Sequence, residues 1–301
     1  MNHYTTISFP FFGIEIDPIR VIQIGPLNLH VYGILIGIGL MLAVLYGWKR
    51  CKEFGIKQDD ITDGVLWVVP FAIICARAYY CIFEWEEQFA SDPISVLYIW
   101  NGGLAIYGGI IGAVIGVAVF CWFKKIKLPA LLDLVLLGFL IGQAIGRWGN
   151  FFNREAFGAE TESFIRMGLT NAFTGVTTYH HPTFLYESLW NAVGFVLLHF
   201  LSKKRQYDGQ IALGYVLWYG LGRTFIEGLR MDSLYWGPFR VSQILAGVTA
   251  IAASVALFVL STRKHDPAKL FVNQVQQLPV EEEIPAQEES AEEETEEVEK
   301  D

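Results

Sequence analysis

Residues 146–155, G-R-W-G-N-F-F-N-R-E, place polar groups directly after an apolar segment that could enter a membrane. The groups are a guanidinium (Arg147), two carboxamides (Asn150 and Asn153) and a carboxylate (Glu155). Because charged groups are costly to desolvate at membrane depth, they are usually retained for binding or catalysis. The alternative is an ordinary interfacial loop in which Arg147 extends to the lipid headgroups.

A second polar pair lies near the end of a later apolar segment. Arg223 and Glu227 are four residues apart, so they share one face of a helix. They are either a self-neutralising pair or part of a site. Together, Arg147 and Arg223 suit a phosphate, because a planar guanidinium can donate two parallel hydrogen bonds to its oxygens.

No nucleophile motif accompanies these groups. No serine stands in a G-x-S-x-G context, and no paired aspartates lie in the middle of an apolar segment. The adjacent His180 and His181 have no further ligands at metal spacing, so we expect neither a metal nor a cofactor. The pattern predicts an anion-binding site with a possible base, whose substrate supplies the nucleophile.

The composition is typical of a membrane protein, with 53% hydrophobic and 18% charged residues among 301. The net charge of -9 belongs to residues 266–301, which hold 13 of the 31 acidic and 2 of the 22 basic residues. This segment is predicted to be a disordered acidic cytoplasmic tail, following a transmembrane catalytic domain at residues 1–265. The four cysteines have no metal or disulfide spacing, and we expect no nucleic-acid partner.

Apolar segments of about twenty residues predict an all-α polytopic membrane protein with about seven transmembrane helices. Basic connections follow the first, third, fifth and seventh segments, as the positive-inside rule requires of one side. We therefore expect the N-terminus outside and the C-terminus in the cytoplasm. Asp63 and Asp133, near the lysines, are interpreted as helix caps or ion-pair partners. The segments are residues 29–48, 64–83, 104–123, 131–145, 184–201, 211–226 and 241–260.

This orientation brings polar residues of several segments to the outer side, which predicts a shared pocket. Glycines recur every fourth residue in the third segment, at Gly108, Gly112 and Gly116, and in the fourth, at 138, 142 and 146. Such stripes allow two helices to approach closely. We expect these two segments to pack together and to hold Tyr107 near Arg147. The other outer residues are Tyr32, Arg77 and Glu187.

With these residues the chain resembles the prolipoprotein diacylglyceryl transferase family over residues 24–260. The motif G-R-W-G-N-F-F-N-R-E-A-F-G, at residues 146–158, is highly specific. The weaker motifs are L-H-V-Y-G (29–33), G-G-L-A-I-Y-G-G (102–109), H-P-T-F-L-Y-E (181–187) and G-R-T-F-I-E (222–227).

The resemblance implies an enzyme of the bacterial plasma membrane with its active site toward the outer leaflet. It would transfer the diacylglyceryl group of phosphatidylglycerol to the lipobox cysteine of a prolipoprotein signal peptide and release glycerol phosphate. A substrate thiol would explain the missing nucleophile. The residues that it implies bind phosphatidylglycerol are Tyr32, Arg147, Gly158 and Arg223. The implied catalytic residues are Tyr107, Arg147, Asn150, Glu155, Arg223 and Glu227.

Tyr107 departs from the family pattern, since some members have a histidine at this position, proposed as the base for the thiol. A tyrosine hydroxyl is a poor base at neutral pH. Either Tyr107 positions the lipid or its phosphate, or another group such as Glu155 or Glu227 takes the proton. The competing function is a transporter of an anionic lipid or solute, although the chain shows no repeat between its halves.

Overall fold

The computed structural model describes residues 4–25, 27–99, 102–231, 235–236 and 239–277. These residues are mostly helical, with long helices at the seven predicted positions. Strands also form, all of them outside the long helices. The helices are α1 (Val31–Arg50), α2 (Gln58–Phe83), α3 (Ile106–Lys124), α4 (Leu128–Asn153), α5 (Thr183–Ser202), α6 (Gln210–Glu227), α7 (Val241–Ser261) and a short α8 (Phe271–Gln276).

Six of the described helices, α1 to α5 and α7, are long and apolar enough to cross a membrane. The chain is therefore a multi-pass membrane protein. The 18-residue α6 is not among the six, because polar residues, including Arg223 and Glu227, reduce its apolar character. Whether it spans the bilayer stays a prediction.

The fourth helix continues eight residues beyond its predicted end at residue 145. It stops where Arg154 adopts a left-handed conformation with φ 54°, which ends the backbone hydrogen-bond ladder. Arg147, Asn150 and Asn153 consequently lie on the last turns of α4. An interfacial loop at these residues is excluded.

The predicted pairing of α3 with α4 is wrong. A Cβ atom on Gly112 would lie 2.5 Å from Cys75 Cβ, so this glycine stripe contacts α2. A Cβ atom on Gly138 would lie 3.2 Å from the Cβ of Ala43, so the other stripe contacts α1. Small residues allow close packing but do not select the partner helix. The helix pairs in most extensive contact are α1 with α4, α2 with α3, and α6 with α7.

A small sheet, which the sequence did not predict, lies at the end of the bundle where α4 finishes. The strands of the described residues are β1 (Tyr4–Phe9), β2 (Ile14–Ile16), β3 (Val21–Ile24), β4 (Leu27–His30), β5 (Met167–Asn171), β6 (Thr177–His180), β7 (Tyr235–Trp236) and β8 (Phe239–Arg240). The strand order of the sheet is β2-β1-β5-β6, and Ile7 of β1 lies opposite Leu169 of β5. Two further pairs, β3 with β4 and β7 with β8, are antiparallel.

Buried Arg154 joins this sheet to α4. Its guanidinium donates to the backbone carbonyls of Thr5, at 2.5 Å, and Pro18, at 2.8 Å, and it also pairs with the carboxylate of Asp17. A buried guanidinium needs such partners, because an unpaired charge in this position would be costly. The contacts fix the N-terminal segment over the end of α4.

The opposite, lysine-rich end of the bundle confirms the interpretation of two aspartates. Buried Asp133 of α4 accepts from the backbone N–H groups of Gly209 and Ala212, both at 2.8 Å, and so caps α6. Asp63 of α2 forms an ion pair with Lys124 of α3, with a 2.5 Å N–O distance. Between these helices lies an apolar core that includes Leu131, Leu134, Leu137, Leu198 and Ile211.

Residues 266–277, which we call the C-terminal strap, fold against this lysine-rich end. The N–H of Phe271 donates to Asp208 Oδ2 at 2.9 Å, and Lys127 donates to the carbonyl of Lys269 at 3.0 Å. Gly55 has φ 76°, and a Cβ atom there would lie 2.7 Å from Val272 Cα. The start of the acidic tail was placed too early at residue 266, because apolar residues such as Phe271 still pack on the core. Its predicted disorder concerns residues 278–301, which lie outside the described residues.

Candidate active site

Glu187, near the start of α5, is in contact with three arginines. Its Oε2 atom lies 2.6 Å from Arg147 Nη2, on α4. Its Oε1 atom lies 3.7 Å from Arg223 Nη1, on α6, and 3.5 Å from Arg230 Nη1, just after α6. One buried carboxylate thus brings together guanidinium groups from separate parts of the chain.

Glu227 is the second carboxylate of the site and is only 2% exposed. Its Oε2 atom lies 2.7 Å from Arg223 Nη2, close enough for an ion pair although the two are not aligned as a hydrogen bond. The predicted sharing of one helix face by Arg223 and Glu227 is confirmed. Arg240, at the start of α7, donates to the backbone carbonyl of Glu227. The arginine–glutamate cluster, as we define it, comprises Arg147, Glu187, Arg223, Glu227 and Arg230.

Three guanidinium groups therefore meet two carboxylates in the arginine–glutamate cluster. The excess of positive charge favours an anion, and the low dielectric around buried groups strengthens that preference. A phosphate oxygen could replace one of the carboxylate contacts of Arg147 or Arg223 without leaving either guanidinium unpaired.

Two carboxamides extend the cluster along the end of α4. Arg147 Nη1 donates to Asn150 Oδ1 at 3.3 Å, and Asn150 Nδ2 donates to Glu155 Oε1 at 3.1 Å. Asn153 Nδ2 donates to the same Glu155 atom at 3.1 Å. Glu155 is thereby held in place by neutral donors, and its contact to Arg147 is indirect.

Tyr32 and Gly158 contact backbone that adjoins residues of the site. The ring of Tyr32, at the start of α1, lies directly on Gly149, where any side chain would collide with it. The N–H of Gly158 donates to the carbonyl of His181 at 2.9 Å, and a Cβ atom on Gly158 would lie 2.8 Å from the carbonyl oxygen of Leu229. Gly158 therefore allows the segment after α4 to lie against the end of α6.

Two tryptophans fix the spacing of α5 and α6 beside the cluster. Trp190 Nε1 donates to the carbonyl of Trp218 at 3.0 Å, and Trp218 Nε1 donates to the carbonyl of Trp190 at 2.9 Å. Their rings stack with centroids 4.3 Å apart. Gly222 and Gly194 provide the space, because a Cβ atom on either would collide with a tryptophan ring. Trp190 is three residues from Glu187, so the contact sets the position of the cluster carboxylate.

A small cleft opens between α5 and α6 beside these tryptophans. It combines a carboxylate, a carboxamide and a guanidinium with aromatic and aliphatic walls. Its volume of about 10 Å³ admits a group the size of one water molecule or one hydroxyl. The lining residues are Glu187, Trp190, Asn191, Tyr219, Gly222, Arg223 and Ile226.

Two residues that the sequence placed in the pocket do not join the cluster. Arg77 is buried in α2, where it donates to four backbone carbonyls, those of Ser95, Val96, Gly102 and Gly103, and organises the following loop. Tyr107 is 65% exposed on α3, which packs mainly on α2. It makes no hydrogen bond with the described residues.

Sequence reasoning missed the central part played by Glu187 and the contributions of Arg230 and Arg240. Glu187 was placed on the correct side but without a partner, since no spacing rule relates it to residues on other helices. Arg230 is seven residues after Arg223, which corresponds to about two helical turns. That spacing was the available signal that both arginines face the same side.

The hydroxyl groups closest in sequence to the cluster are already engaged. Ser188 donates to the carbonyl of Ala144 at 2.8 Å, and Thr224 donates to that of Gly220 at 2.7 Å. The Ser188 bond joins α5 to α4 and the Thr224 bond lies within α6, so neither hydroxyl is poised as a nucleophile.

The two adjacent histidines are part of the fold beside the site. His180 Nδ1 is 3.0 Å from the carbonyl oxygen of Gly158, and His181 Nδ1 is 3.2 Å from Tyr186 Oη. Burial lowers the pKa of His181 below its usual value, so its imidazole is neutral at pH 7.

The fold and the cluster define a polytopic membrane protein with a buried arginine–glutamate cluster at one end of its helices. The sequence model described as prolipoprotein diacylglyceryl transferase matches residues 19–260. The chain belongs to the prolipoprotein diacylglyceryl transferase family.

Three relatives illustrate the similarity, and each is named phosphatidylglycerol--prolipoprotein diacylglyceryl transferase. A protein of Listeria monocytogenes is 42% identical over 84% of this chain and 92% of its own length. One of Limosilactobacillus reuteri is 41% identical over 83% and 93%. One of Enterococcus faecalis is 40% identical over 90% and 95%.

Proposed function

We propose that this protein transfers the diacylglyceryl group of phosphatidylglycerol to the thiol of a lipobox cysteine in a prolipoprotein. The relatives are named for this transfer, and the family match covers all residues of the arginine–glutamate cluster. The transporter alternative is not favoured, because these relatives are named as transferases.

The observation that carries the proposal is the contact of Arg147 and Arg223 with one buried carboxylate, Glu187. It supports a site in which two guanidinium groups face the same small volume. In the proposed reaction the thiolate sulfur attacks the glycerol carbon that bears the phosphate. A carbon–sulfur bond forms, the carbon–oxygen bond breaks, and its electron pair leaves on the phosphate oxygen.

Arg147 and Arg223 would stabilise the charge that collects on the departing glycerol phosphate. Donors already fixed in position need no reorganisation during the reaction, and one such donor is typically worth about a hundredfold to a thousandfold in rate. Glu187 holds both guanidiniums before the lipid arrives, so its role is to position them.

The thiol proton must go to a base. Glu155 and Glu227 belong to the connected network at the cluster, whereas Tyr107 is exposed on another helix. This placement supports a carboxylate as the proton acceptor and a lipid-facing role for Tyr107. Tyr32 and Gly158 would shape the phosphatidylglycerol site, and Asn150 would orient Arg147 and Glu155.

The cluster lies at the end of the bundle opposite the lysine-rich connections. The positive-inside rule therefore supports an active site toward the outer leaflet of a bacterial plasma membrane, with the C-terminus in the cytoplasm. Phosphatidylglycerol and the signal peptide would both reach the site from the membrane.

Mass spectrometry of a peptide substrate tests the transfer directly. Purified protein is incubated with phosphatidylglycerol and a peptide that carries a lipobox, and the expected result is a mass gain of one diacylglyceryl group on the cysteine. A matched peptide with Cys→Ser should stay unmodified. Absence of the mass gain, in a protein shown to be folded, would exclude the proposed function.

A further inference from the structure

Asn191 lies one helical turn after Glu187 on α5 and lines the cleft between α5 and α6. It is only 5% exposed, and residues four apart on a helix share a face. Its side chain therefore lies beside the cluster carboxylate and across the cleft from α6, which carries Arg223.

The carboxamide of Asn191 has no hydrogen-bond partner among the described residues. Asn150 and Asn153, in the same site, both donate to Glu155. The amide atoms of Asn191 are not fully enclosed by protein, so they are open to the cleft. Buried polar side chains are nearly always hydrogen-bonded to protein groups or to water. A carboxamide that lines a cleft without a protein partner indicates that a ligand atom supplies the missing hydrogen bond.

The chemistry of the groups next to Asn191 indicates which part of the lipid its carboxamide contacts. A phosphate is best bound by the guanidiniums of Arg147 and Arg223, and the Glu187 carboxylate would repel it. A hydroxyl group, in contrast, can donate to Glu187 and accept from the Asn191 amide. A carboxylate and a carboxamide one turn apart are thus complementary to uncharged hydroxyls rather than to a second anion.

We infer that Asn191 binds a hydroxyl group of the lipid headgroup and makes the site selective for a glycerol headgroup. The inference rests on the proposed function and extends it from the phosphate to the group beyond the phosphate. Trp190, adjacent to Asn191, is fixed by its reciprocal hydrogen bonds with Trp218. The backbone at Asn191 is consequently held in place before the ligand binds.

The test compares two lipids of equal charge, phosphatidylglycerol and phosphatidylpropanol, which lacks both headgroup hydroxyls. The wild-type protein should prefer phosphatidylglycerol in kcat/KM by about tenfold or more, as expected for one or two hydrogen bonds in a buried site. Asn191→Ala should lose most of this preference through a higher KM for phosphatidylglycerol. Its rate with phosphatidylpropanol should stay close to that of the wild type.

Ser202→Ala is the matched control, because Ser202 is a buried polar residue at the other end of α5. It should retain the wild-type preference. Equal loss for both lipids in Asn191→Ala, or unchanged selectivity in that variant, would overturn the inference. Asn191→Leu, which fills the same volume, gives the same comparison if the alanine variant fails to fold.

Native mass spectrometry with the same two lipids separates this inference from the proposed function. If the wild-type protein binds phosphatidylglycerol selectively, Asn191→Ala loses that selectivity, and no peptide is modified, the transfer proposal fails and the Asn191 inference stands. If it modifies the peptide and uses both lipids equally, the Asn191 inference fails alone.

Discussion

Trp190 and Trp218 each donate an indole N–H to the backbone carbonyl of the other, across the contact of α5 with α6. Side-chain hydrogen bonds to helix carbonyls are common, but here two are made reciprocally over a stacked ring pair. Each ring lies on a glycine of the opposite helix, Gly222 or Gly194. The contact leaves little freedom for α5 to slide along α6, and the separation of Glu187 from Arg223 depends on it.

Trp218→Phe should lower both stability and turnover. Phenylalanine keeps the ring but leaves the carbonyl of Trp190 without its donor. One lost hydrogen bond, worth about 1 kcal/mol, should lower the melting temperature by about 2–4 °C. Turnover of the folded protein should fall about fivefold, because Glu187 is less well positioned. The control is Trp67→Phe on α2, an exposed tryptophan far from the cluster, where turnover should not change.

Arg147→Lys and Arg223→Lys should each reduce peptide modification about a hundredfold while the protein still folds. An ammonium group carries the charge but cannot donate two parallel hydrogen bonds to a phosphate. Arg166→Lys is the control, since Arg166 stacks on Tyr179 beside the sheet and outside the cluster. Wild-type turnover in either cluster variant would remove that arginine from the phosphate site.

Tyr107→Phe should retain most of the activity, because the hydroxyl is exposed and bonds to no described residue. The rate should then rise with pH as the substrate thiol ionises, near pH 8.5, in both the variant and the wild type. Kinetics of peptide modification between pH 6 and pH 10 provide the measurement. Complete loss of transfer in a folded Tyr107→Phe protein would identify this hydroxyl as the proton acceptor.

Much of the helical framework could be predicted from the sequence, because spans of a membrane must be long and apolar. The same rule places Arg147 and Arg223 at one end of the bundle. The rule underestimated the length of α4, because polar residues such as Asn150 and Asn153 can continue a helix when their side chains find partners within the protein. A hydropathy pattern contains no information about those partners.

The contacts between helices and between strands were harder to predict than the helices themselves. The glycine stripes of α3 and α4 predict close packing, yet each stripe contacts a different helix, α2 or α1. The sheet was missed because its strands have three to six residues and one of its pairings joins Ile7 with Leu169. Such short strands give little periodic signal, and their pairing depends on the positions of four helices between them.

Removal of residues 278–301 should leave both activity and melting temperature unchanged. Removal of residues 266–301 should lower the melting temperature by a few degrees, because it deletes the C-terminal strap and exposes the surface around Gly55 and Asp208. Thermal unfolding of the two truncated proteins in the same detergent makes the comparison. Equal stability of both would show that the strap contributes nothing to the fold.

Cysteine labelling should establish the proposed orientation. In a background without native cysteines, a membrane-impermeant maleimide added to whole cells should label cysteines introduced at Ala90 and Ala172. It should fail to label those at Lys125 and Lys204 until the cells are opened, because these positions belong to the lysine-rich end. The reverse pattern would place the cluster on the cytoplasmic side.

The pairing of β1 with β5 also determines an order of events during synthesis. β1 leaves the ribosome first, but β5 follows only after α1 to α4 have been made. Until residue 171 has been translated and moved to the same side, one edge of β1 has no partner strand. Unpaired strand edges are prone to wrong pairing and to aggregation. Closure of the sheet thus distinguishes a chain inserted through α4 from one that stalled earlier.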